Sequence, residues 1–452
     1  MSLTTCNIHF TQRSGNSVYL SRALRTALQM ENQKTATIKI GQKQTQCPIR
    51  TLKKQGKHLY IPTFVRNHLK IPRSGNCYIQ SVHGDEIQLG PVIGILTSSA
   101  NRTPSQPFGK ISPLIHQYLK VGADKAFYFA FSLRDINWQQ ATVSGYFISS
   151  GGWVRRTVPL PDVVYNRLTS RRVDISDSTQ NKERFVRNGI PIFNWSYFNK
   201  SDVYHLLEGE PESKYVPESH ENPPPEKIKA MLEKYQTVYL KPTGGSMGKG
   251  IFKLTYQPSK GYFCRFRRDG KNVLLRFNRF SRLIQLLNRQ DLRRYIVQQG
   301  IKLIEIDNCP IDFRFHMNKN GVNQWVPAGI GAKKAGRGSV TTHIKNGGQL
   351  LTPESVLSRF FGQRADEVLE KTKDVAIRLC EAIERKYPYH LGELGFDIGI
   401  DRNENIWMFE ANAKPGRSIY KHPMLKTQGA DTLKHVFEYS LYLSNFHVKG
   451  DA

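Results

Sequence analysis

Two apolar runs near the end of the chain, residues 394–400 and 406–409, bracket the polar turn Asp401-Arg402-Asn403-Glu404-Asn405, with Asp397 inside the first run and Glu410 closing the second. Such runs read as an antiparallel hairpin. If the turn closes Asp401 against Ile406, Asp397 stands opposite Glu410, and Asn412 shares the face of Glu410 because strand side chains alternate. Two carboxylates that meet among apolar residues repel each other and lose hydration, which costs several kcal/mol unless a cation lies between them. Hard oxygen donors suit Mg2+, which accepts one or two carboxylates together with substrate phosphates. An ion pair with Arg402 or Lys414 is the plainer alternative. Either way, the fold must bring positive charge to this hairpin.

A second constraint lies upstream. The strand pattern of residues 237–241 runs into Pro242-Thr243-Gly244-Gly245-Ser246-Met247-Gly248-Lys249-Gly250, and another apolar-rich strand follows. Glycines let backbone N–H groups close round phosphate oxygens, and a nearby Lys neutralises their charge. The loop is not a Walker A motif, since Thr243 replaces its first Gly and Gly250 stands where Ser or Thr should follow Lys249. What remains is a strand, a Gly-rich hairpin loop and a strand, with a plain hairpin as the alternative.

A chain of 452 residues calls for two or three structural units. In the first 90 residues Val18-Tyr19-Leu20 recurs as Leu59-Tyr60-Ile61, Arg25 as Arg66, Leu28 as Leu69 and Ile38 as Ile79, all at an offset of 41. Each copy reads as strand, short helix, strand, and two copies would interlock as a small β-barrel of the double-psi kind. Residues 91–190 alternate strand and helix patterns, beginning with the apolar run 91–96 and including 127–131 and 146–148, as in a small α/β domain. The Pro-rich segment 221–226 reads as a loop, 228–235 as a helix, and Val368, Thr372, Val375, Leu379 and Ile383 as one face of a longer helix.

Lys and Arg number 66 against 37 Asp and Glu, a net charge of +29 that favours an anionic partner without naming it. The excess concentrates between Lys253 and Arg294, where twelve basic residues meet only Asp269 and Asp291. A solvated helix face would account for such a run. Nucleic acid is disfavoured, because no zinc finger, basic zipper or RNP-like motif accompanies it. Six scattered cysteines form no C-x-x-C pair and read as reduced thiols, and no apolar run reaches membrane-spanning length or signal-peptide form, so a cytoplasmic location is expected.

The order Lys241-Pro242, Gly-rich loop, Asp312-Phe313-Arg314, Arg337, Gly347-Gly348, Asp397 and Glu410-x-Asn412 resembles the ATP-grasp superfamily. The closer resemblance is to the YheC/YheD endospore coat-associated family. It is carried by Leu89-Gly90-Pro91-Val92-Ile93-Gly94-Ile95-Leu96, Pro161-Asp162-Val163-Val164-Tyr165-Asn166-Arg167, the Gly245–Ile251 loop sequence and Trp407-Met408-Phe409-Glu410-Ala411-Asn412-Ala413-Lys414-Pro415-Gly416. The resemblance implies a mixed α/β fold: a β-rich domain over residues 1–90, a pre-ATP-grasp domain over 91–190, and an ATP-grasp domain over 191–452 with its lid at about 200–295 and catalytic lobe at about 296–425. It also implies ATP held by Lys200, Lys241, Gly245, Ser246 and Gly248, adenine gripped near Gln298, Gln299 and Ile301, Mg2+ held by Asp397, Glu410 and Asn412, and Arg314 and Arg337 on the transferred phosphate. The implied activity is ligation of a carboxylate to an amine through an acyl-phosphate, associated with sporulation, in the mother cell or the spore coat. An acidic peptide is a candidate substrate and spore coat proteins are candidate partners. A coat assembly protein that binds ATP without turnover is the rival reading.

Overall fold

Both copies of the 41-residue repeat fold alike: Val18–Ser21, Arg22–Ala27 and Thr35–Ile40 in one, His58–Pro62, Thr63–Leu69 and Gly75–Val82 in the other, each a strand, a short helix and a strand. The structure is a computed structural model and describes residues 2–98, 103–244, 250–342 and 344–446. The two copies meet where Tyr19 pairs with Tyr60 and Leu20 with Leu59. With three further strands they close a seven-stranded barrel, whose interior takes Val18, Leu20, Ile38, Leu59, Ile61 and Ile79. Closure leaves no sheet edge open to pairing with another chain.

The barrel packs on a second sheet whose centre is parallel, with Val92–Leu96 between Phe127–Phe131 and Val163–Asn166. Every residue of Val92–Leu96 is buried, as a strand covered on both faces must be. Val92 and Leu96 join the core shared with the barrel, while Ile93 and Ile95 pack beneath the helices Ser112–Val121 and Lys426–Leu443. Ile192–Phe193 adds a parallel strand beside Val163–Asn166. The C-terminal helix thus reaches back across the molecule to the second sheet.

Two antiparallel sheets form the remainder. One runs Gln349–Leu351, Trp325–Lys334, Cys309–Lys319, Glu393–Ile400, Ile406–Asn412. Its apolar face, including Phe313, Phe315, Phe396 and Ile398, packs against the helix Ala365–Lys386 through Val368, Thr372, Val375, Leu379 and Ile383, the residues whose spacing foretold it. Asp366 and Glu367 in the first turn and Arg385 and Lys386 in the last oppose the helix dipole. The other sheet runs Ser219–Glu221, Tyr295–Gln299, Thr237–Pro242, Phe252–Gln257, Gly261–Arg268, Lys271–Phe277, with the helices Pro225–Tyr235 and Phe280–Leu287 on one face. Half of the twelve basic residues between Lys253 and Arg294 therefore lie on strands and only Arg282 within an α-helix, so the stretch is not the solvated helix face that its charge suggested. The segment 221–226 is a bend between a short strand and the helix that opens on Pro225.

Buried polar networks tie the second sheet to the hairpin sheet. Glu393 accepts from Tyr165 and lies 3.5 Å from Arg167 and 3.1 Å from His316. Asp174 receives Lys414 at 2.7 Å and Asn166 at 2.8 Å, with Lys182 at 3.5 Å. Asn194 donates to the Glu393 and Ala413 carbonyls and accepts from the Gly392 and Glu393 amides, which satisfies backbone that no strand partner reaches. All six cysteines are free and buried, and no helix among the described residues is long and apolar enough to cross a membrane.

Candidate functional site

The hairpin brings Asp397 opposite Glu410 and Gly395 opposite Asn412. It does so by a different route from the one the sequence suggests. The turn closes Ile400 against Ile406, leaving it one residue longer than expected, and a bulge at Phe409 takes up the difference. Asp401 fastens the turn by accepting from the amides of Asn403 and Asn405, both at 2.9 Å. Ile406, Met408 and Ala411 face the core, while Trp407, Glu410 and Asn412 remain half-buried. A bulge re-aims side chains without breaking the sheet.

Arg314, opposite Asp397 in the next strand, meets it with two bonds, Nε to Oδ1 at 2.8 Å and Nη2 to Oδ2 at 3.1 Å. Lys333 reaches Asp397 and Asp312 at 2.9 Å each, and the Thr342 hydroxyl donates to Asp312. Gly395 leaves room for this: a Cβ there would sit 2.5 Å from Pro415 Cβ and 3.1 Å from Arg314 Nη1. Burial pushes the Arg314 pKa down, but Asp397, Glu410 and Asp312 outweigh it and hold the guanidinium charged. Burial pushes Asp312 up, against the pull of Lys333. Three carboxylates therefore surround two cations, a surplus of one negative charge that a divalent cation would offset. Among the described residues no three His, Cys, Asp or Glu side chains gather at metal-holding distance. A cation here would use two carboxylates, an amide and bound phosphates, the donor set that Mg2+ tolerates.

Opposite the hairpin stands the second antiparallel sheet. Lys241 Nζ donates to the Gln298 side chain, and its ammonium lies 5.6 Å from the centre of the Phe409 ring. Gln298 in turn donates to Tyr204 and to Ser219, and the Tyr204 hydroxyl reaches the Phe409 carbonyl at 3.5 Å. Burial pushes the Tyr204 hydroxyl up to about 12, keeping it a donor at neutral pH. This chain of contacts closes one end of a cleft whose floor carries Asp397 and Arg314.

Of the residues singled out from sequence, Asp397 and Arg314 meet directly, Glu410 stands at their side, and Asn412 sits one pleat away. Lys241 and Gln298 pair with each other. Gln299 faces elsewhere, its side chain accepting from the Glu218 amide at 3.2 Å. Ile301 is half-buried just beyond the end of its strand. Arg337 sits on an exposed turn, tied in through its carbonyl, which accepts from Asn272 at 3.2 Å. Lys200 opens the helix Lys200–Leu207, with its side chain outside the described parts, and Gly245, Ser246 and Gly248 lie outside the described residues. Lys414, the candidate ion-pair partner, binds Asp174, and Arg402 is exposed on the turn. The hairpin is ion-paired after all, but through Arg314 and Lys333. Sequence reasoning missed Lys333 and Tyr204. Period two along Trp325–Lys334 would have placed Lys333 on the face of Gly329 and Gly331, facing Asp312, whereas nothing local marks Tyr204.

Residues 189–443 match the YheC/D-like ATP-grasp family. The endospore coat-associated protein YheD of Bacillus subtilis (strain 168) is 34% identical over 371 residues, covering 80% of this chain and 81% of that protein. The endospore coat-associated protein YheC of the same organism is 21% identical over 290 residues, covering 61% and 76%. Among solved structures, the D-alanine-D-alanine ligase of Coxiella burnetii aligns at a TM-score of 0.45 and 12% identity, covering 79% of this chain and 95% of that one. D-cycloserine synthetase DcsG aligns at 0.45 and 12%, covering 77% and 99%. With more than half of its length matching that family and a 34% identical relative covered over 81% of its own length, the chain belongs to the YheC/D-like ATP-grasp family.

Proposed function

We propose that this protein is an ATP-dependent carboxylate–amine ligase that works through an acyl-phosphate, and that it acts in the sporulating mother cell or on the spore coat, the latter being the association that its relatives' names carry. The observation that carries the proposal is the floor of the cleft, where Arg314 and Lys333 face Asp397, Asp312 and Glu410 beneath Lys241. Attack of a substrate carboxylate on the γ-phosphate of ATP joins two anions, so the site must supply positive charge as the transition state forms. Lys241 and Arg314 supply it from opposite sides, Lys200 and Arg337 from the helix start and the turn that carry them. Lys333 holds Asp397 and Asp312 in place. Magnesium, held by Asp397, Glu410 and Asn412, would neutralise the phosphates. ADP leaves, and the amine then displaces phosphate from the acyl-phosphate to form the amide. No covalent protein nucleophile is needed. Gln298, bridging Lys241 and Tyr204, orients the lysine and lines the nucleotide's side of the cleft.

The test is ADP release by the purified protein with panels of amino acids and acidic peptides as substrates. Glu410→Gln removes one ligand charge at nearly constant volume, and should cost more than the ~10–100-fold typical of outer-shell changes at metal sites. Wild-type turnover by a folded Glu410→Gln protein overturns the assignment. A coat assembly protein without turnover is the reading that would replace it.

A further inference from the structure

The sheet that roofs the cleft has two unlike faces. Val238, Leu240, Leu254, Cys264, Phe266 and Val297 point one way, into the core with the two covering helices. The other face carries Lys241, Lys253, Arg265, Arg267 and Arg276. They stand in register: Lys253 pairs with Arg265, Arg265 with Leu274, and Phe263 with Arg276. The five strands Thr237–Pro242, Phe252–Gln257, Gly261–Arg268, Lys271–Phe277 and Tyr295–Gln299 contain no Asp or Glu. Among the described residues no ion pair involves Lys253, Arg265, Arg267 or Arg276. Like charges on neighbouring strands repel, so this face keeps a cost that an incoming anion would relieve.

The face also has an address. Its Lys241 end reaches Tyr204 and Phe409 through Gln298, and Asn272 at its far edge touches the Arg337 carbonyl. The cations between these two contacts therefore look into the cleft, along a line leading away from Lys241. Arg265 and Arg267, two residues apart on one strand, are about 7 Å apart along it, the spacing of same-face carboxylates on an extended acidic peptide. Leu274, 54% exposed within the same row, offers an apolar contact between the charges. Single-stranded nucleic acid would need open aromatic faces for its bases to stack on. Here the protein's own cations take them: Arg276 lies 6.0 Å from the Phe263 ring centre, and Lys241 and Lys253 each 5.8 Å from that of Tyr239.

We infer that the cleft-facing side of this sheet is the docking surface for an extended Asp- or Glu-rich polypeptide, the substrate chain of the ligase. The inference deepens the ligase reading and rests on it for the role of the peptide, though not for its binding. The probe is fluorescein-labelled hexaglutamate, followed by anisotropy with the full chain, with an uncharged peptide of equal length and a dT oligonucleotide as comparators. The triple variant Arg265→Gln, Arg267→Gln, Arg276→Gln should bind hexaglutamate at least about tenfold more weakly and lose most of the salt dependence. The corresponding triple Lys variant should stay within about threefold of wild type, as should Arg293→Gln with Arg294→Gln, which removes lid charge away from this face. Binding of a fluorescent ADP, read in parallel, should not change. Equal hexaglutamate affinity in the triple Gln variant, or an equal loss in the Arg293/Arg294 variant, overturns the docking surface. Tighter binding of the oligonucleotide than of hexaglutamate, lost in the triple Gln variant, overturns it in favour of nucleic acid. Peptide binding without any ADP release would sink the ligase reading and leave the surface standing; ADP release without peptide binding would do the reverse.

Discussion

Glu393 shows how much one buried side chain can carry. Burial pushes its carboxyl up, but Arg167, His316 and Tyr165 outweigh that and hold it at about 2. Its folded pKa lies below the unfolded value of 4.5, so the stabilisation is fully present above pH 4.5 and is lost as pH falls through about 2. Glu393→Gln should therefore be less stable than wild type at pH 7 by on the order of 3 kcal/mol, with the gap narrowing between pH 4.5 and 2. Urea midpoints measured across that range check it, and a gap that stays constant with pH would contradict it. At this scale the sequence was readable where chemistry is explicit in the residue type. Asp397 and Glu410 stood out because charge inside apolar strands demands a partner, whereas Arg314 came only from the family resemblance. Lys333 did not, because a lysine near a strand end is ordinary until Asp312 is known to lie across from it.

Among the elements, the hairpin is the most informative. Period two placed its strands and the Asp397–Glu410 pair, but it cannot foresee a bulge, since the longer turn and the extra residue Phe409 cancel in the count. The same packing makes Gly395 restrictive. Gly395→Ala would drive a Cβ into Pro415 and against Arg314, and should cost about 1–3 kcal/mol, the usual penalty for overpacking, together with a fall in ADP release as Arg314 shifts. Gly416→Ala is the control: its Cβ would meet nothing within 4 Å, so stability should stay within about 0.5 kcal/mol of wild type. Thermal melts and ADP release on the two variants decide the matter, and equal behaviour would refute the steric account. The barrel repeat was legible for a related reason. Two copies sharing one pattern signal twice, whereas the short strand Ile192–Phe193 has too few residues to show any period.

Across the whole molecule, charge was legible as a total but not as a place, because a run of basic residues does not reveal whether it lies on helix or sheet. The ties between the second sheet and the hairpin sheet were also hidden, since Asp174 and Lys414 stand 240 residues apart. Burial pushes the Lys414 amine down to about 7, with Asp174 pulling the other way. Lys414→Met leaves Asp174 with Lys182 and Asn166, so its cost should fall toward the lower end of the ~3–5 kcal/mol typical of breaking a buried pair. Hydrogen exchange should then quicken together in Val163–Asn166 and Glu393–Ile400; loosening of one strand alone would show that the network does not couple them. The buried cysteines have a practical consequence. Burial raises the thiols of Cys6, Cys47, Cys77, Cys264 and Cys380, and alkylating reagents attack the thiolate. Maleimide dyes thus find little to react with in the native fold. Arg293→Cys on the roof and Glu404→Cys on the hairpin turn would accept a donor and an acceptor fluorophore in an otherwise natural chain, so that the distance between roof and hairpin, with and without nucleotide, becomes readable as energy transfer in single molecules.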